Sequence, residues 1–219
     1  MNGDLELAVF DMDGVLVDSR SSWVLVHDHF GTQNEDSLRA FLRREIDDQE
    51  FIRRDVERWE SSGGRVHVDE VREVLDRAPI INGAMETLVA LREAGVRTAI
   101  VSGGLRYLAL RIQETADVDF VLANDVEVDD EGYLTGRGVV QVPLLEKGEV
   151  VAGIQGRMGI GPGVTAAVGD SRVDATMFSH ARIAVAFNPR DETVVRSATH
   201  VVESGDLRAV LPLLLGDGS

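Results

Sequence analysis

Short apolar runs that stop abruptly in polar residues recur along the chain. Residues 5–10 stop at Asp11-Met12-Asp13-Gly14, 97–101 at Ser102-Gly103-Gly104, 120–123 at Asn124-Asp125, 164–168 at Gly169-Asp170, and 183–187 at Asn188-Pro189. Each is the pattern of a buried strand feeding a loop. Helical patterns lie between them: residues 84–93 closed by Gly95, then 105–115, 145–158, 173–179 and 207–215. Strands alternating with helices predict an α/β fold with a doubly wound, parallel, Rossmannoid sheet. Residues 126–134 alternate about a turn and predict a hairpin.

Residues 19–78 break the alternation. They hold no buried strand but a charged helical pattern, with Trp23, Phe30, Leu38, Phe41, Leu42, Ile46, Phe51, Ile52, Val56 and Trp59 as its apolar positions. The expectation is a helical cap over 19–78, inserted after the first strand into a core made of 1–18 and 79–219, with re-entry near Pro79. Trp23 and Trp59 are expected inside that cap. His27 and His29 have no acidic or cysteine partner at ligand spacing and are expected as solvated helix residues.

Composition narrows the partners. The 219 residues carry Lys+Arg 22 against Asp+Glu 38, a net charge of −16, a field that opposes nucleic acid and anionic membrane. Cysteine is absent, which excludes thiolate nucleophiles, disulfides and metal–thiolate sites. The start, Met1 to Leu7, carries acids where a signal peptide is basic, and there is no apolar run of membrane-spanning length, so a cytoplasmic protein is expected. Lys147 is the only lysine; the other 21 cations are arginine. An acid excess of this kind fits a halophilic protein of a salt-rich cytosol, with genomic compositional bias as the rival explanation.

In an open parallel sheet, ligands bind beyond the carboxyl ends of the strands. Asp11 and Asp13 there offer a carboxylate and a neighbouring carbonyl to one cation, and Asp170 adds a carboxylate from another strand end. Such an oxygen set suits Mg2+. Ser102 with the amides of Gly103 and Gly104, at an expected helix start, offers donors to a phosphate. Lys147 supplies a point charge for a phosphoryl oxygen. A carboxylate can attack phosphorus to give an aspartyl-phosphate, for which Asp11 at the strand tip is the candidate nucleophile. Asp13 is then the acid that protonates the leaving alkoxide and the base for the attacking water. Asp174 is read as a helix-start carboxylate that orients Lys147 or a metal-bound water. Residues 156–163 are glycine-rich but lack the Gly-Lys-Ser/Thr ending of a nucleotide loop.

Asp11-Met12-Asp13-Gly14-Val15, Ser102-Gly103-Gly104, Lys147 and Gly169-Asp170-Ser171-Arg172-Val173-Asp174 resemble, in order, the four motifs of haloacid dehalogenase (HAD) superfamily phosphatases. The resemblance implies Asp11 as nucleophile, Asp13 as acid/base, Ser102 and Lys147 as phosphate contacts and Asp170 as a magnesium ligand. Asp13 speaks for phosphatases and mutases against dehalogenases. Within the superfamily the chain is most similar to phosphoserine phosphatases, with two departures. Arg20 stands where that family has an amine-binding glutamate, and Val173 where it has asparagine. The family's carboxylate-binding cap arginine has Arg53, Arg54 and Arg58 as possible counterparts, and Arg20 is carried as a substrate contact that favours a second negative group.

The expected activity is a Mg-dependent phosphomonoester hydrolase for a small phosphorylated metabolite. The alternatives are another small-metabolite phosphatase, for phosphoglycolate or a nucleotide, or a phosphomutase. A signalling receiver domain also uses strand-end aspartates, a hydroxyl and a lysine, but is about half this length and has no helical insertion. The oligomeric state is not legible in the sequence.

Overall fold

A computed structural model of the chain describes residues 5–61 and 63–216; residues 1–4, 62 and 217–219, including part of the acidic N-terminal stretch, lie outside the described residues. The first strand is β1 (Leu7–Phe10). Its four residues are fully buried because they alternate between two cores: Ala8 and Phe10 pack on one face of the sheet, Leu7 and Val9 on the other. This two-sided burial is why parallel strands read as continuous apolar runs.

Four helices follow: α1 (Ser22–His29), α2 (Glu35–Leu42), α3 (Asp48–Ser61) and α4 (Val68–Asp76). The chain then builds α5 (Ala84–Glu93), β2 (Arg97–Leu105), α6 (Arg106–Ala116), β3 (Phe120–Val128) and β4 (Leu134–Val139). The last part comprises α7 (Lys147–Met158), β5 (Thr165–Gly169), α8 (Ala175–Phe178), β6 (Ile183–Phe187), α9 (Glu192–Ser197), β7 (His200–Val202) and α10 (Leu211–Leu215). The strand order is β4-β3-β2-β1-β5-β6-β7, parallel except for the β3–β4 hairpin. β1 therefore lies between β2 on one side and β5 on the other, and the crevice between the two directions of winding opens at its carboxyl end.

Register fixes what meets there. Phe10 pairs with Ile100 of β2 and Val168 of β5, so Asp11, Ser102 and Asp170, each one or two residues further on, emerge at one level. Within the helical region, Trp59 is fully buried and stacks on Trp23 at 5.8 Å. Gln49 of α3 both donates to the Gly138 carbonyl (2.8 Å) and accepts from its amide (3.1 Å). α3 is thereby fastened to β4, the edge strand, whose free backbone groups invite such pairing.

Three expectations are corrected. β2 does not end at Val101 but runs to Leu105 with a register shift between Ser102 and Leu105, so Ser102-Gly103-Gly104 is an irregular strand end and α6 begins only at Arg106. The expected helix 173–179 is a 3-10 turn over Arg172–Asp174 followed by one turn of α-helix. His27 is 1% exposed, not solvated: its imidazole lies 3.3 Å from the Asp55 carboxylate, a partner 28 residues away that no local spacing reveals. β7 and α9 have no counterpart in the expected elements, being three and six residues long.

Candidate active site

Asp11 is the first residue beyond β1, and its amide still pairs with the Val168 carbonyl (2.9 Å). The residue is 4% exposed. Oδ1 accepts from the Met12 amide (2.7 Å) and lies 2.9 Å from Lys147 Nζ. Burial raises the Asp11 pKa, the negative Asp174 raises it further, and Lys147 opposes both. Lys147, first residue of α7 and 1% exposed, also donates to Asp174 Oδ1 at 2.7 Å. Burial alone would lower the ammonium's pKa, but Asp11 and Asp174 outweigh it and raise it.

Both oxygens of Asp174 are engaged. Its Oδ2 accepts from the amides of Asp170 and Ser171, both at 3.0 Å, and from Ser171 Oγ at 3.2 Å. One carboxylate thus closes the 3-10 turn and fixes the lysine.

Asp13 is 7% exposed. Its Oδ2 accepts from Ser22 Oγ (2.9 Å), which in turn accepts from the Leu105 amide (2.8 Å); its Oδ1 is buried without a hydrogen bond. Burial raises its pKa, with Ser22, Lys147 and Arg190 pulling it down. Gly104 presses on this group: a Cβ there would stand 2.5 Å from Asp13 Oδ2. Ser102 is 1% exposed, and its Oγ accepts from the Gly104 amide at 3.0 Å.

Asp170, 1% exposed, follows β5. Its Oδ2 is 2.5 Å from Arg190 Nη2, whereas Oδ1 is buried and unpartnered. Burial raises the Asp170 pKa, and Arg190 works against that. Gly14 makes the packing possible: it has φ +85°, and a Cβ would lie 1.9 Å from Asp170 Oδ2.

Whether a divalent cation fits can be judged on charge and donors. When all four are ionised, Asp11, Asp13, Asp170 and Asp174 exceed Lys147 and Arg190 by two negative charges in a buried cluster. Burying uncompensated charge is costly. Asp11, Asp170 and Asp174 each bring a carboxylate oxygen within 4.8 Å of the others; both oxygens of Asp174 are engaged, while Asp13 and Asp170 each keep an oxygen with no hydrogen bond. An oxygen-only set with a deficit of two charges fits a hard divalent cation.

A cavity of about 370 Å³ opens over these groups, lined by Asp11, Asp13, Ser102, Gly103 and Lys147 on the sheet side. Arg20 also lines it, exposed, with no ion pair of its guanidinium among the described residues; its carbonyl accepts from Arg190 Nη1 at 2.8 Å. Arg53, Arg54 and Arg58 do not line the cavity: the first two pair with Glu50 and the third with Asp36.

The structure adds three groups that sequence reading passed over. Ser22 is hidden in a serine-rich helix start, and Arg190 in an unremarked loop after β6. Trp23, expected only as interior packing, donates its indole N–H to the Gly103 carbonyl at 2.9 Å and lines the cavity. The usable signal for Arg190 was positional, because every loop at this edge of the sheet converges on β1.

The family model for haloacid dehalogenase-like hydrolase matches residues 8–179. A phosphoserine phosphatase of Idiomarina loihiensis is 31% identical over 95% of this chain and 93% of its own length. One of Archaeoglobus fulgidus is 31% identical over 87% of this chain, which spans only 54% of that relative. A solved phospho-aspartyl intermediate analogue of phosphoserine phosphatase superposes with a TM-score of 0.81 at 27% identity, covering 97% of this chain and 100% of the other. Matching over most of its length in sequence and in fold, the chain belongs to the haloacid dehalogenase-like hydrolase family.

Proposed function

We propose that the chain hydrolyses a small phosphorylated metabolite through an aspartyl-phosphate on Asp11, as a phosphoserine phosphatase-like enzyme. The observation that carries this reading is Lys147 Nζ, buried and held 2.9 Å from Asp11 and 2.7 Å from Asp174, at the floor of the cavity that also exposes Ser102 and Asp13. Such an ammonium is placed to neutralise a phosphoryl oxygen beside the attacking carboxylate.

Asp11 attacks phosphorus, and the P–O bond to the leaving alkoxide breaks. Asp13, whose pKa burial raises, delivers the proton to that alkoxide. It then takes one from the water that cleaves the aspartyl-phosphate. Ser102 Oγ and the Gly103 amide, beside Lys147, receive phosphoryl oxygens. Arg20 is the fourth substrate contact. Asp11, the Asp13 carbonyl and Asp170 would hold Mg2+, which when bound offsets charge on the phosphoryl group. Asp174 holds Lys147 in place.

The helices of residues 19–78 act in this reading as a cap on a core of 1–18 and 79–219, closing the cavity and excluding bulk water. No helix among the described residues is long and apolar enough to cross a membrane, and the acidic surface supports a cytoplasmic, salt-adapted protein without nucleic-acid or membrane partners. The test is release of inorganic phosphate from a panel of small phosphate esters with Mg2+. Turnover of several esters is the expected result; stable phosphorylation without turnover would favour the receiver-type reading.

A further inference from the structure

Away from Lys147 the cavity wall belongs to the helical region. Leu38, Leu42, Phe51 and Ile52 make it largely apolar, and its polar members there are Asn34, Asp48 and Asp55, with Arg20 and Ser21 at the start of the region. Arg20, ahead of α1, is the one cation of residues 19–78 that lines the cavity. Arg53 and Arg54 are engaged by Glu50, while Arg58 forks onto Asp36 at 2.9 and 2.8 Å and donates to Ser37 at 2.6 Å. Asp48 has an oxygen committed to the Leu144 amide (3.1 Å).

Asp55 is in a different position. It is 2% exposed, and its Oδ2 accepts from Asn34 Nδ2 at 2.9 Å. Its Oδ1 is buried and accepts no hydrogen bond. His27 Nε2 stands 3.3 Å away and Arg58 Nη1 3.8 Å, close enough for charge attraction, yet Nε2 is itself without a hydrogen bond. His27 cannot swing to correct this: Nδ1 is 2.7 Å from Thr32 Oγ1, and the ring lies edge-on to Trp59 at 5.4 Å. A carboxylate oxygen left unsatisfied beside a cavity is a costly arrangement that a ligand donor relieves.

We propose that Asp55, held by Asn34 and His27, determines substrate choice by accepting a hydrogen bond from a hydroxyl or ammonium on the organic part of the phosphomonoester. The site then favours esters of alcohols that carry such a donor over esters whose only distal group is a carboxylate, which would meet Asp48 and Asp55, while Arg53, Arg54 and Arg58 are held elsewhere by Glu50 and Asp36. This rests on the phosphatase reading and deepens it.

Phosphoethanolamine and phosphoglycolate are nearly the same size and differ in that distal group, so they are the decisive pair, with glycerol 1-phosphate as the hydroxyl case and an aryl phosphate as the reference. With Mg2+, kcat/KM for phosphoethanolamine is expected to exceed that for phosphoglycolate by about tenfold or more, since a buried polar group left unpaired is strongly discriminating. Asp55→Asn should bring the two to within about threefold of each other, mainly through KM. A wild-type preference for phosphoglycolate, as follows if Arg20 receives the carboxylate, overturns the assignment without need of any variant. So does an Asp55→Asn protein that loses all esters in equal proportion, the behaviour of a mere strut between α1 and α3. No turnover of any ester, the aryl phosphate included, overturns the phosphatase reading itself and this assignment with it.

Discussion

Lys147 Nζ lies 2.7 Å from Asp174 Oδ1, and neither side chain is more than 1% exposed. The aspartate is committed to backbone amides through its other oxygen, so the lysine is held by a carboxylate that cannot itself move. Lys147→Arg, which keeps the charge but needs room for a planar fork, is expected to lower kcat by about a hundredfold or more. Asp174→Asn should cost about 3 kcal/mol in denaturant unfolding, because it leaves a buried ammonium short of a partner. An arginine variant at parental rate would mean that the ammonium does not touch the phosphoryl group.

Asp11→Asn is expected to abolish phosphate release, by about a thousandfold or more, while the circular dichroism and unfolding midpoint stay near parental. Asparagine cannot form the acyl-phosphate. Hydrolysis of an aryl phosphate at the parental rate would move the nucleophile elsewhere.

Ser22→Ala removes the hydroxyl that donates to Asp13 Oδ2 and accepts from the Leu105 amide. The expected cost is about 1–3 kcal/mol of stability and about tenfold in kcat, from a less well held acid. Intact kcat with lowered stability would leave Ser22 a purely packing residue.

Cation removal should show in stability as well as in rate. Burial raises the pKa of Asp11, Asp13 and Asp170 above the ordinary value of 3.8. A raised folded-state value means that the unfolded chain gives up these protons more readily, so the metal-free protein loses stability as pH climbs from that value upward. Chelated protein is therefore expected to have a higher Tm at pH 5 than at pH 7.5. Mg2+ should raise Tm more at pH 7.5, the stabilisation being about 2.7 kcal/mol at a hundredfold excess over Kd. A metal-free Tm that does not depend on pH would contradict the buried charge deficit.

A net charge of −16 makes surface repulsion a destabilising term that ionic strength screens within about 3 Å at molar salt. The unfolding free energy should rise between low and molar NaCl. Equal values would remove the salt-adaptation reading and leave compositional bias.

The parts legible in the sequence were those written in local pattern. Apolar runs ending in Asp11, Ser102 and Asp170 marked both the parallel strands and the edge where the side chains converge, and a lone lysine drew the eye to Lys147. The hairpin of β3 and β4 was legible from alternation. What escaped depends on contacts across the chain: Ser22 matters because it reaches Leu105, Arg190 because it reaches Asp170, and Asp55 because His27 and Asn34 close on it. The irregular end of β2 escaped too, since the glycines that suggested a turn into a helix instead allow Asp13 and Ser22 to press against the strand.

The placement of β1 between β2 and β5 also bears on how the molecule is made. β1 leaves the ribosome before both strands that flank it, which begin at Arg97 and Thr165. Until the second of these has been synthesised, Leu7–Phe10, apolar on both faces, has at least one open edge, and the cation cluster lacks Asp170. Folding is therefore dominated by non-local pairing, which is slow and exposes sticky intermediates. A nascent chain halted before Thr165 should neither bind the cation nor resist protease.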